Sequence, residues 1–387
     1  MSATTRFIKG AFDRFIASKI RSKGYVDMSR YLHPKIGNSY MSEDDMDEGK
    51  LCSYYMEVTD NVNSRKQITE EQLDNLGFPA LTWMDDLLYN PSEVNPIFPQ
   101  CVPDFVMEVA KISSNISSNR GTFFRGHSYT NYDLLPSVMR NDKRRNNESR
   151  LFNEIQIRCP DEFKDCHTHL DKLVKMQHYT LPTRLLDITG NPLVALYFAC
   201  QGNDDNYGEV IILSADYDDI KEPYSDTVSI LASLAAFSRK DQDDFRSYAS
   251  NDRISEKNFN EFIERLTHEV RMEKPAFKSI IHKEDLLNNH VVFSLRNNPR
   301  IIKQDGAFII CGLNAENGAL EKFRYTYQDN ANKKRKDIFL IDNKEKIKKQ
   351  LEMFSINQAT LFPEIEKVAE YLRTDFLRKF INNRESK

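Results

Sequence analysis

The chain has 387 residues, 40% of them hydrophobic and 29% charged, with a net charge of −4. That length allows two domains or one large domain with an extension, and the mild acidity excludes a global attraction to nucleic acid or anionic membrane. No apolar run approaches the roughly 18 residues of a membrane span, and the 13 glycines form neither a G-x-G-x-x-G nor a P-loop pattern.

"RFIKGAFDRFIASKIRSKGY" (6–25) is basic and amphipathic, with Phe12, Phe15, Ile16 and Ile20 on one helical stripe. It reads as a surface helix rather than a transit peptide. The six cysteines are scattered, so reduced cytosolic thiols and a cytoplasmic location are expected. "ITEEQLDNLGF" (68–78) is a capped helix and "PALTWMDDLLYNP" (79–91) a second one. Proline and asparagine then cluster over 89–103, which marks a boundary. Residues 1–100 therefore read as a helical extension, and 101–387 as the main domain.

From residue 104 the pattern changes. "DFVMEVAKISSN" is a helix and "GTFFRGH" a strand; "NNESRLFNEIQIRC" and "HTHLDKLVKMQHY" are helices. "PTRLLDIT" is extended, because proline and threonine disfavour helix. "NPLVALYFAC" is a helix opened by proline. "GEVIILSA" is a continuous apolar strand, hence buried on both faces. "HVVFSL" and "GAFIICGL" are further strands, and "NKEKIKKQLEMF" and "PEIEKVAEYLRTDFLRKF" close the chain as helices. Without a clean βαβ rhythm, the fold class is α+β with a mixed central sheet flanked by helices.

Cys159, Cys166, His167 and His169 fall close together, but their spacing matches no zinc knuckle, and no metal is expected. "CPDEFK" copies the letters of a restriction-type nuclease without placing its acids on neighbouring strands. Basic character is local, in 139–150, 331–337 and 343–349, which keeps a nucleic-acid-binding or nuclease module open as an alternative. Two stretches carry more. "TFFRGHSYTNYDLLPS" (122–137) sets Arg125, Gly126, His127 and Ser128 at a strand end. "KMQHYTLPTRLLDITGNPLVALYFAC" (175–200) contains Gln177, His178, Tyr179 and Thr189. Arg184 and Asp187 within it read as a buried structural pair. Taken alone, these residues fit a ligand cleft and a structural role equally well.

"FFRGHSYTNYDLLPS", "MQHYTLPTRLLDITGNPLVALYFA", "RIIKQDGAFIICG" and "ATLFPEIEKVAEYL" resemble the four signature blocks of the FRG-domain family, in family order, over about residues 104–375. The departure is Ile188-Thr189-Gly190, where an aromatic residue often follows the aspartate. The resemblance implies a bacterial effector, a toxin linked to antiphage defence. The block order is similar to that of the ADP-ribosyltransferase superfamily, which implies that fold and NAD as substrate. By that likeness Arg125 binds NAD, Thr189 is the second signature element, and Gln304 stands where a catalytic glutamate is usual. Gly126 then leaves room for the cofactor, and His127, Ser128, Gln177 and Tyr179 complete the binding wall. Gln304 cannot accept a proton, so His178 or His127 is the substitute base. The acceptor is a nucleic acid or a protein, a regulatory or antitoxin partner would use the N-terminal region, and a ligand-sensing protein without turnover is the other alternative.

Overall fold

The computed structural model describes residues 26–27, 40–41 and 94–376, apart from 131, 203–206, 279, 296–297, 316–317, 329–331 and 333. The N-terminal helices predicted at 6–25, 68–78 and 79–91 lie outside the described residues.

The chain divides into two units. The first comprises residues 1–98 and 327–337. Within it Val26–Asp27 pairs antiparallel with Tyr40–Met41, and Tyr327 and Gln328 pair with Arg335 and Lys334. Asp337 Oδ1 accepts hydrogen bonds from Asn95 Nδ2 at 2.8 Å and from the Tyr327 hydroxyl at 3.1 Å.

The second unit is α+β. Helix α1 (Val102–Ser113) buries Val102, Phe105, Val109 and Ile112 on one stripe. Strand β1 (Arg120–His127) follows, then a short helix α2 (Asp142–Arg145) capped by Asn141. Helices α3 (Glu148–Arg158) and α4 (His169–His178) lead to strand β2 (Leu185–Thr189). Thr168 and Asp171 form a capping box that fixes where α4 begins. Helix α5 (Pro192–Ala199) starts on an Asn191 cap with proline in its first turn, as the sequence pattern requires. Strands β3 (Gly208–Asp216) and β4 (Ile220–Lys221) come next. Helices α6 (Asp226–Ser233), α7 (Arg239–Ala249) and α8 (Glu264–Glu273) form a helical layer that the hydrophobic pattern does not reveal. Strand β5 (His290–Phe293), helix α9 (Pro299–Lys303), strand β6 (Gly306–Ile310), residues 338–341 of strand β7 (Lys334–Ile341), and helix α10 (Ile365–Tyr371) complete the principal elements.

In this unit the strands lie in the order β7, β3, β1, β2, β6, β5, β4. Pairing is antiparallel except between β4 and β5, so the sheet is mixed. β3, between β7 and β1, is buried from Gly208 to Ala215, which explains its unbroken apolar run. One apolar cluster packs α4, α6 and α8 with Leu185, Phe308 and Ile310. A second contains Phe123, Leu186, Ile188, Ile211 and Ile309. Alternate residues of β2 thus serve opposite faces.

Arg184 is fully buried just ahead of β2. Its structural role holds, but its partner is not Asp187. Nε and Nη2 grip Glu148 of α3 at 2.8 and 2.6 Å, and Nη2 also donates to Gln242 Oε1 of α7 at 3.1 Å. Asp187 is exposed and free of this network. A guanidinium with a bidentate carboxylate and a further acceptor meets the conditions for burying charge.

Candidate active site

Strands β1 and β2 share one register pair, Phe124 with Thr189, and part beyond it. Arg125 fills the gap: Nη1 donates to the Asp187 carbonyl, and Nε donates to His127 Nε2 at 2.9 Å. Shielding from water pulls the Arg125 pKa down to about 10; Asp187 opposes this and Arg140 adds to it.

Those bonds decide the role of His127. It is buried, and its Nε2 accepts from Arg125, so its proton belongs on Nδ1, 4.0 Å from Glu209. Burial, then Arg125, then Arg324 hold its pKa well below the ordinary histidine value. His127 is therefore a neutral prop for Arg125 and not a base that titrates near neutrality, which corrects its role as a substitute base.

Gly126 faces helix α5. A Cβ there would lie 1.9 Å from the Ala195 carbonyl oxygen, and one at Gly208 on β3 would lie 2.0 Å from that of Ala199. Two glycines on neighbouring strands let the helix sit directly on the sheet. The space that the sequence reading gave to a cofactor at Gly126 is filled by this helix. Because side chains alternate along a strand, Arg125 leaves from the opposite face.

The remaining expected site residues gather elsewhere. Gln177, His178 and Gln304 line one small cavity, about 40 Å³, with Asp187, Asn298 and Arg300. His178 and Arg300 also border a larger cleft of about 440 Å³ with Lys175, Tyr179, Asn298 and Glu364. Arg125, Thr189 and Ser128 are among the lining residues of neither. Ser128 instead gives its carbonyl to the buried Lys344, whose Nζ lies 2.8 Å away. Thr189 donates to the Gln304 carbonyl at 2.6 Å and accepts from the Asn191 amide at 3.0 Å, so its hydroxyl fixes the turn into α5. Gln177 accepts from the Thr183 hydroxyl.

Gln304 caps the C-terminus of α9, two residues before β6, and so is not on a strand. Its Nε2 donates to the Leu361 carbonyl at 3.0 Å. That bond holds the segment carrying Glu364, which the sequence reading missed. Nε2 of His178 lies 3.5 Å from Glu364 Oε1. Both carboxylate oxygens of Glu364 are out of water and lack a hydrogen-bond partner. The side chain as a whole is 30% exposed, through its aliphatic stem. His178 Nδ1 faces Asn298 Nδ2 at 3.4 Å, which puts the imidazole proton on Nε2, toward the carboxylate. Burial lowers the His178 pKa despite the pull of Glu364, so the ring is neutral at pH 7. Tyr179 stands edge-on to His178, 57% exposed. The Arg300 guanidinium carbon lies over the Phe362 ring, 4.7 Å from its centroid. The signal available in the sequence was a glutamate after the proline of "TLFPEIE", hidden because it looks like the start of an ordinary helix.

The two ring nitrogens of His169 are taken by Glu273 and Glu269 at 2.7 and 2.9 Å. A depression of about 560 Å³ beside α8 has mixed charges but no such dyad.

Residues 120–208 match the family model of the FRG domain, so the chain carries an FRG domain. The match takes in the first two signature blocks; the third and fourth lie beyond it. No curated protein and no solved structure matches the chain. No helix among the described residues is long and apolar enough to cross a membrane.

Proposed function

We propose, with the FRG domain of residues 120–208 as the premise, that this protein is an ADP-ribosyltransferase-like effector using NAD as substrate in the His178–Glu364 cleft. The observation that carries the reading is the Glu364 carboxylate. Its oxygens are out of water and make no hydrogen bond; among the described residues the donor that faces them is the neutral His178 N–H at 3.5 Å, so the carboxylate is poorly satisfied as it stands. Such a group is held ready for a donor that arrives with a ligand. A ribose hydroxyl and an acceptor O–H or N–H are donors of that kind.

Transfer breaks the bond between ribose C1′ and nicotinamide through an oxocarbenium-like state, as in glycoside hydrolysis. The acceptor's oxygen or nitrogen forms the new bond to C1′, nicotinamide leaves, and the acceptor's proton passes to Glu364. The carboxylate's negative charge faces the positive charge that develops on the ribose. His178 orients Glu364, Arg300 is a cation lining the cleft that a diphosphate would meet, and the exposed Tyr179 ring offers a stacking wall. Arg125, the residue that the family likeness ties to NAD, then holds the backbone of Asp187, which lines the small cavity that His178 also borders. The toxin role in antiphage defence rests on the FRG likeness and gives the reaction its purpose. Incubating the full chain with NAD and candidate protein and nucleic-acid acceptors, and measuring nicotinamide release and ADP-ribose adducts by mass spectrometry, tests the reading. Wild-type protein that releases no nicotinamide and forms no adduct overturns it.

A further inference from the structure

Arg125 near the end of β1, Arg140 ahead of α2, and Lys143 and Arg144 on α2 form a group of cations in which Arg140 acts electrostatically on Arg125 and Arg144 on Arg140. Among the described residues, none of the four has a carboxylate within ion-pairing distance. Other surface cations do: Arg120 with Asp216 at 2.8 Å, Arg158 with Glu154 at 2.9 Å, Arg239 with Asp243 at 2.7 Å. Arg140, Lys143 and Arg144 are exposed. Each arginine of the group spends an N–H on a backbone carbonyl: Arg125 on Asp187, Arg140 on Leu135 at 3.2 Å, Arg144 on Ser137 at 3.3 Å. These bonds hold the guanidiniums in place and leave other donors free. Partial covering, and then the charge of Arg144, lower the Arg140 pKa, while Asp187, Tyr132 and Asp133 oppose this.

An aromatic surface adjoins them. The Tyr132 ring is half exposed and is held edge-on by Tyr129 at 5.7 Å and by His127 at 6.1 Å. Unpaired guanidiniums bind phosphates, and a fixed exposed ring stacks on an unpaired base. A duplex keeps its bases covered, so the ring adds nothing there.

We infer that this face binds a single-stranded nucleic acid, with phosphates on the exposed Arg140, Lys143 and Arg144 and a base on Tyr132. The inference is independent of the NAD reading, because such binding needs no NAD.

The test is fluorescence anisotropy of the full chain with labelled single-stranded DNA and RNA of about 12 nucleotides, and with a duplex of the same sequence, in the absence of NAD. Wild type is expected to bind single strands, with affinity falling against salt at a log–log slope of about −2 for three phosphates. The double variant Arg140→Gln/Arg144→Gln is expected to lose about tenfold in affinity and to show a shallower slope. Tyr132→Ala is expected to bind single strands about tenfold more weakly and to leave duplex binding unchanged. Arg158→Gln, a cation paired elsewhere, is expected to bind as wild type. The melting temperature of each variant shows whether it is folded. No wild-type binding at low salt, tighter binding of duplex, an unaffected double variant, or an equal loss in Arg158→Gln would each overturn the inference.

Discussion

Nε2 of His178 and Oε1 of Glu364 lie 3.5 Å apart although 186 residues separate them, and neither Glu364 oxygen has a hydrogen bond. Helix α4 ends at His178, and the turn before α10 supplies Glu364. Replacing Glu364 by glutamine removes the charge and the proton acceptor while keeping the shape. Nicotinamide release should fall by about 10² to 10⁴. The melting temperature should hold or rise, because a shielded carboxylate that makes no hydrogen bond is gone. Release rate and melting temperature measured on the same sample check both halves.

Gln304 is expected to behave as a brace. Its Nε2 donates to the Leu361 carbonyl, three residues before Glu364. A carboxylate cannot donate and would face that carbonyl's negative end. Gln304→Glu should therefore destabilise the protein by about 1–3 kcal/mol and slow turnover, contrary to the reading of residue 304 as a stand-in for a catalytic glutamate. Denaturant unfolding of Gln304→Glu beside wild type is the measurement. An equally stable, more active variant would restore that reading.

Gly126→Ala should be severely destabilising, by about 1–3 kcal/mol or more. The new methyl would meet the backbone of α5, which cannot rotate away as a side chain does. Equilibrium unfolding, or soluble yield if the loss is larger, reports it. Normal stability would show that helix α5 can lift from the sheet.

Arg184→Met should cost about 3–5 kcal/mol, because Glu148 is left buried and charged. The paired change Arg184→Met/Glu148→Leu should recover much of that loss. A double-mutant cycle in urea measures the coupling.

His169 makes stability depend on pH. Burial opposes its charge, but bonds to Glu269 and Glu273 prevail and raise its pKa. The stabilisation is full below the unfolded histidine value of about 6.5 and is lost as pH rises through the raised folded value. The two glutamates have lowered pKa values, since their hydrogen bonds to His169 prevail over burial. Their contribution is present above the ordinary carboxylate range and disappears as pH falls through the lowered values. Melting temperatures from pH 5 to 9 should show a decline on the alkaline side in wild type. His169→Gln should flatten it; an unchanged profile would place the pH dependence elsewhere.

Most of the sheet was legible in the sequence, because strand and helix periods leave direct marks. The β3 run "GEVIILSA" announced a strand covered on both faces, and the proline of "NPLVALYFAC" announced the start of a helix. The layer of α6, α7 and α8 was missed, and the basic "KRKD" hid the opening of strand β7. Charged residues at the start of a strand look like loop; it is the pairing of Lys334 and Arg335 with Gln328 and Tyr327 that makes this segment extended.

The site divides along the same line. The sequence by itself determined the first two signature blocks, with Arg125 and His178 in them, and it offered a structural reading of Arg184. Those depend on residue type and local order. Only the tertiary structure decided the partners. It gave Arg184 to Glu148, Gly126 to the backbone of α5, Gln304 to Leu361, and Glu364 to His178. Each of these contacts joins residues that are distant in the chain. A side chain's chemistry is written in one letter, but its partner is set by how sheet and helices stack.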